Sequence, residues 1–199
     1  MTTTLSFEMT FHSHFRVGAA YPNDGVDLTY DEDEPLPGDH LKGLMRAEAR
    51  RLASVLPIGD RLVDDTFGTA ARPSAWSWFS AEPVGGAWHA PVLRHRVNID
   101  DITHAATQDM LVASTSTYAE AAVFVIERDP VANEDPAQVS REAALLRLSA
   151  RSLHHVGGWR RRGLGWVGVR PIDDPTGADG DAATAAVKAD VKLLTGEER

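Results

Sequence analysis

The sequence predicts an α+β protein: a ferredoxin-like βαββαβ sheet with both helices on one face and long insertions. Three observations carry this. Apolar residues alternate with polar ones at 5–11, 122–126 and 164–169, the period of half-buried strands. Two stretches, opening near Asp39 and Asp135, place apolar residues at a period of 3.6. Their order is strand, helix, strands, helix, strand, which is that of the ferredoxin-like and RNA-recognition folds.

Leu5, Phe7, Met9 and Phe11 make the first strand. Residues 18–38 follow with three Gly, three Pro and six acids, a long irregular loop. Pro37-Gly38-Asp39 opens the first helix with Asp39 as N-cap, and Leu41, Leu44, Met45, Leu52 and Val55 form its buried stripe. Lys42, Arg46, Arg50 and Arg51 lie off that stripe. Residues 57–91 show little periodicity: 65–69 is turn-like, 75–80 a short strand, 83–91 a loop. Leu93 to Ile99 alternates with Arg94, Arg96 and Asn98 on one face, residues 100–110 are turn-rich, and 120–128 is a core strand. Together 87–128 reads as a long hairpin with a projecting, thumb-like part at about 87–118. The second helix begins with Asp135 as N-cap, Pro136 at N1 and Gln138 at N3, and buries Val139, Ala143, Leu146, Ala150 and Leu153. The expected organisation is one domain over 1–170, then an acidic peripheral tail over 171–199 with a weak helical pattern at 182–194.

The chain carries no cysteine, which excludes disulfides and thiolate metal sites and fits a cytoplasmic protein. No apolar run approaches the ~20 residues of a membrane span, and the opening residues lack the regions of a signal peptide. No membrane partner is expected. A net charge of −9 argues against a protein that coats nucleic acid over its whole surface. The charge is unevenly spread, however. Residues 23–34 hold six acids and no base, whereas 41–51 and 160–170 each hold four Lys/Arg and at most one acid. A nucleic-acid face therefore stays open.

The second helix runs into Gly157-Gly158-Trp159-Arg160-Arg161-Arg162-Gly163-Leu164-Gly165, four glycines in nine residues around three arginines. Glycine permits close backbone approach, and arginine forks onto phosphate oxygens. The loop is either a seat for a phosphodiester backbone or a solvated turn.

Three blocks in order resemble the CRISPR-associated RAMP superfamily, the repeat-associated mysterious proteins. They are Phe11-His12-Ser13-His14-Phe15-Arg16-Val17-Gly18, then Leu36-Pro37-Gly38-Asp39-His40-Leu41-Lys42-Gly43-Leu44-Met45-Arg46, then the glycine–arginine loop. The middle block resembles the family's "IPGSSLKGALR" segment, with Asp39-His40 in place of Ser-Ser. Phe67-Gly68 and Val97 to Thr103 sit where members carry "FG" and "V.ID..T". The resemblance is nearest to the repeated backbone subunit of type III interference complexes, although this chain is shorter than many of those.

The resemblance implies a subunit that polymerises along a guide CRISPR RNA with copies of itself and other effector subunits. It further implies a hairpin that kinks the guide and an aspartate that cuts paired target RNA. Gly25-Val26-Asp27 matches the segment holding that aspartate, which makes Asp27 the catalytic candidate and, with Mg²⁺, the metal candidate. By residue type alone Asp24, Asp31 and Asp33 would serve equally. The expected guide contacts are Lys42, Arg46, Arg160, Arg161 and Arg162 on phosphates, the backbones of Gly157, Gly158 and Gly163, and Trp159 as a stacking platform. Two competing readings are a stand-alone, metal-independent processing endoribonuclease using His12 or His14, and a non-catalytic scaffold or cap. The His154-His155 pair reads as a helix C-terminal feature.

Overall fold

In the computed structural model, which describes residues 2–18, 26–132, 134–172 and 180–196, strand alternation decides which face of the sheet is covered. Strand β1 (Thr3–Phe11) turns Phe7, Met9 and Phe11 inward. Strand β6 (Ala121–Arg128) does the same with Ala122, Phe124 and Ile126. The two strands pair antiparallel with Phe7 opposite Phe124, their rings stacked at 5.0 Å. Strand β7 (Val167–Pro171) pairs with the other side of β1 and adds Val167 and Val169 to the same face. Strands β2 (Trp76–Trp78) and β3 (Glu82–Pro83) pair with β6 along its outer side.

The sheet path is thus β2-β6-β1-β7, with β3 also on β6. Helix α1 (Gly38–Ala53) falls between β1 and β2, and helix α3 (Pro136–Arg151) between β6 and β7. Both join the core formed by the inward-facing side chains. This is the expected βαββαβ succession. The opposite face holds Ser6, Glu8, Thr10, Val123 and Val125, and Arg170 reaches across it to Glu8 at 2.8 Å.

Several local expectations change. α1 starts two residues early, at Gly38 after Pro37, where Ser80 Oγ accepts the Gly38 N–H at 3.1 Å, so Asp39 is a first-turn residue rather than the N-cap. Gly38 is required there because a Cβ would overlap the Trp78 carbonyl. Val55 lies beyond the helix and is 74 % exposed, while Ala49 takes the place on the stripe. The turn-like 65–69 segment is the end of a second helix, α2 (Gly59–Phe67), which buries Leu62, Val63, Thr66 and Phe67. Its Phe67 stacks on Trp78 at 5.4 Å, and Gly68 stops it at φ 79. The "FG" pair is thus a packing and termination device.

The hairpin is shorter than 87–128, because β6 belongs to the main sheet. Strands β4 (Val92–Ile99) and β5 (Ala106–Ser116) form a separate two-stranded sheet. Its turn is held by Asp100, whose carboxylate accepts from the N–H groups of Ile102 and Thr103 at 3.1 and 2.7 Å and from the Thr103 hydroxyl at 2.9 Å. Those bonds favour the anion and hold this carboxyl below its ordinary range. α3 is capped by Asp135, which accepts from the Ala137 N–H at 3.0 Å. Gln138 points along the helix to Glu142 instead of closing a capping box.

Part of the segment expected as a peripheral tail is integral. Helix α4 (Gly180–Thr195) packs on α3, with Leu194 1 % exposed and Asp190 buried against Arg147 Nε, both carboxylate oxygens at 3.0 Å. α3 is consequently buried on more sides than its one predicted stripe. No described helix is long and apolar enough to cross a membrane.

Candidate nucleic-acid interface

The three sequence blocks converge through backbone hydrogen bonds. The chain leaving β1 runs beside the glycine–arginine loop: His12 N–H donates to Trp166 O at 2.8 Å, and Gly165 N–H donates to His14 O at 2.7 Å. Gly158 N–H donates to Arg16 O at 2.9 Å. Gly157 N–H donates to His40 Nε2, in the first turn of α1, at 3.0 Å. Gly157 (φ 69) and Gly165 (φ 76) are compelled, since a Cβ would overlap the Arg16 and Val156 carbonyls. Gly163 (φ 80) faces open space and serves the turn alone. Burial, with His155 nearby, pushes the His40 pKa down, which keeps the ring neutral and able to accept that bond.

The loop presents its cations outward. Arg160, Arg161 and Arg162 form a single exposed 3₁₀ turn. Arg160 Nη1 lies 3.1 Å from His155 Nε2, and burial followed by Arg160 pushes the His155 pKa down. Trp159 is half-buried and already engaged, with the guanidinium carbons of Arg96 and Arg16 at 4.3 and 5.1 Å from its ring centroid.

Lys42 and Arg46 occur together elsewhere. They line a pocket of about 580 Å³ with Asp39, Gly68, Trp76 and Trp78, among others. Lys42 Nζ lies 4.8 Å from the Trp78 ring centroid, and Arg46 reaches Asp64 at 3.5 Å. Among the described residues no hydrogen bond or ion pair joins them to the loop arginines. Among the described residues, the α1 backbone and His40 link the two basic groups.

Asp27 sits at the hairpin root. Its N–H donates to Ala113 O at 3.1 Å, and its Oδ2 accepts from Ala113 N–H at 2.8 Å, so 26–28 runs along β5. Gly25 and Asp24 lie outside the described residues. Among the described residues no three His, Cys, Asp or Glu cluster to hold a metal ion. Among the described residues the other carboxylate oxygen of exposed Asp27 has no partner. That suits Mg²⁺ held by one carboxylate together with phosphate oxygens and water, not an all-protein cage.

His12 is exposed at the end of β1. His14 is half-buried with its ring 5.4 Å from Tyr118, which also meets His89 at 5.2 Å. Burial, then Arg94 and His89, push the His14 pKa down. Three residues that sequence reasoning left without a role belong to the interface: His40, Arg16 and Arg96. The sequence signal for Arg96 was its alternation with Arg94 on one face of β4; for His40 it was the departure from Ser-Ser.

An antiparallel sheet with helices on one face, a projecting hairpin and a glycine–arginine loop pinned by two remote segments define an α+β protein built to present a basic edge. Residues 8–168 match the RAMP superfamily, and the chain belongs to that family. Among solved structures it resembles a chain of the type III-B Cmr-beta complex bound to cognate target RNA, with a TM-score of 0.65 at 11 % identity, over 86 % of this chain and 98 % of that one. The apo state of Cmr-beta gives a TM-score of 0.64 at 12 % identity, with the same coverage. No curated protein sequence matches the chain.

Proposed function

We propose that this chain is a guide-RNA-binding backbone subunit of a type III CRISPR complex, and that Asp27 takes part in cutting target RNA paired to the guide. The observation that carries the reading is the convergence of three distant blocks on one loop, whose arginines lie beside a projecting hairpin. Membership of the RAMP superfamily and likeness to chains of an RNA-bound complex support it. Backbone N–H groups and arginines contact phosphates without reading bases, as a carrier of variable guides requires.

RNA supplies its own nucleophile. A 2′-hydroxyl attacks the adjacent phosphorus, the bond to the 5′-oxygen breaks, and a cyclic phosphate and a 5′-hydroxyl result. With Oδ2 fixed on Ala113 N–H, the other Asp27 oxygen would do one of two things, accept the 2′-hydroxyl proton or hold Mg²⁺, and water would protonate the leaving 5′-oxygen. In the second role Asp27 would hold Mg²⁺, which would supply positive charge at the scissile phosphate.

The test is target-RNA cleavage by the assembled complex, wild type against Asp27→Ala, with Mg²⁺ and with EDTA. Regularly spaced cuts should fall by about 10²-fold or more in the variant and vanish in EDTA, with guide and target binding unchanged. The grouping of His14 with His89 and Tyr118 favours one second reading, metal-independent processing. Cutting that survives EDTA and is lost in His14→Ala would establish it. A complex that binds both RNAs and never cuts makes the chain a scaffold and Asp27 a root clamp.

A further inference from the structure

At the hairpin root, arginines from three separate segments gather about one tryptophan. A pocket of about 350 Å³ is lined by Arg94, His95, Arg96, Trp159, Arg162 and Leu164. Arg16 approaches the Trp159 ring from the first block. Among the described residues none of Arg16, Arg94, Arg96 and Arg162 pairs with a carboxylate, although the chain carries 29 acids.

Arg16 is only 9 % exposed, its Nη1 reaches the Thr29 carbonyl at 3.4 Å, and its Nε is buried without a hydrogen-bond partner. Arg96 Nη1 is likewise buried and unsatisfied. Crowded guanidiniums with unused donors repel one another until an anion with several oxygens enters. Trp159 adopts φ 63, a left-handed backbone that a bulky residue seldom takes. The strain is retained where the ring meets both arginines.

We propose that this pocket binds one phosphate group of an RNA strand, gripped by Arg96 and Arg162, and that the bound phosphate locks the hairpin to the glycine–arginine loop. Arg16 is a positioning residue that holds the ring, and Arg94 adds positive charge from the hairpin. The inference rests on the RNA-binding reading above and adds to it a specific seat, made half by the hairpin and half by the loop. A phosphate fits better than a protein carboxylate because the cations surround the pocket from two elements, matching oxygens arranged around a tetrahedral centre.

The indole N–H resonance of Trp159, identified by its loss in Trp159→Phe, reports on the seat in the full chain. It is followed while inorganic phosphate, AMP or a short oligouridine is added. The proteins are wild type, Arg96→Gln/Arg162→Gln, and Lys42→Gln/Arg46→Gln. At saturating oligouridine the resonance should shift in wild type and in the α1 variant, whose overall RNA affinity is lower, but not in the pocket variant. RNA affinity of the pocket variant should fall about tenfold, and its salt slope should drop by about 0.7 for one lost phosphate contact. Arg96→Lys/Arg162→Lys should restore the slope, which separates lost charge from lost fold.

A resonance that moves with inorganic phosphate or AMP but not with RNA overturns the RNA assignment in favour of a free nucleotide. A pocket variant that binds RNA with unchanged affinity and slope, while the α1 variant binds weakly, overturns the seat and leaves the broader reading standing. Wild type that binds no RNA overturns both.

Discussion

His40 stands where the family segment carries serine, and it does what a short hydroxyl cannot at that distance: its ring nitrogen accepts the Gly157 N–H. The bond requires a neutral ring. Because the folded-state pKa lies below the ordinary 6.5, the unfolded chain takes up a proton that the folded chain refuses. Stability should therefore hold above about pH 6.5 and fall as the pH drops below it. His14 and His155, also pushed down, add to the same slope. Urea unfolding at several pH values checks this, and His40→Gln, which keeps an acceptor and loses the titration, should flatten part of the slope. Gly157→Ala is a sharper lesion. It forces an L-residue to φ 69 with its Cβ on the Arg16 carbonyl and should cost about 2 kcal/mol or more. Thermal melting reads the loss, and weaker RNA binding should accompany it.

Helix α4 shows how an element changes standing once its contacts are known. Its alanine-rich sequence buries few large side chains, but Asp190 lies in a bidentate pair with Arg147. Asp190→Ala leaves the half-buried Arg147 without its counter-charge and should destabilise the fold by about 3 kcal/mol. A merely peripheral tail would lose nothing, so the shift in urea midpoint decides the matter.

What was legible from sequence follows the same logic. β1, β6 and α3 announced themselves because one face of each is apolar at the right period. α2 did not, since nine residues with Leu62, Val63, Thr66 and Phe67 inward complete too few turns. β5 was missed at its start because residues exposed on both faces of a lone hairpin carry no alternation. Of the interface, the glycines and loop arginines were readable as unusual composition. The arrival of Arg16 and Arg96 at Trp159 was not, because it depends on bringing residues 16, 96 and 159 together in space.

The proposed nucleic-acid role is compatible with a net charge of −9 because cations gather on α1 and on the loop beside the hairpin. If Lys42, Arg46 and the three loop arginines each neutralise one phosphate of single-stranded RNA, log affinity should fall against log salt with a slope near about −3.5. Fluorescence anisotropy across a salt series measures it. A slope near zero would mean that these cations face water.

The borders of the main sheet limit how such a molecule can join others. One border is β7, five residues long and ending at Pro171, which has no N–H to offer. The other is broken into β2 and β3, of three and two residues. Neither border of the main sheet presents a ladder long enough for a neighbour's strand to be added, which leaves the longer strands of the β4–β5 hairpin as the place for β-augmentation. Under the proposed function, an array of copies would also be tethered by loops and by the RNA they share. If copies assemble along RNA as proposed, stripping the strand away should return single molecules rather than a fibre.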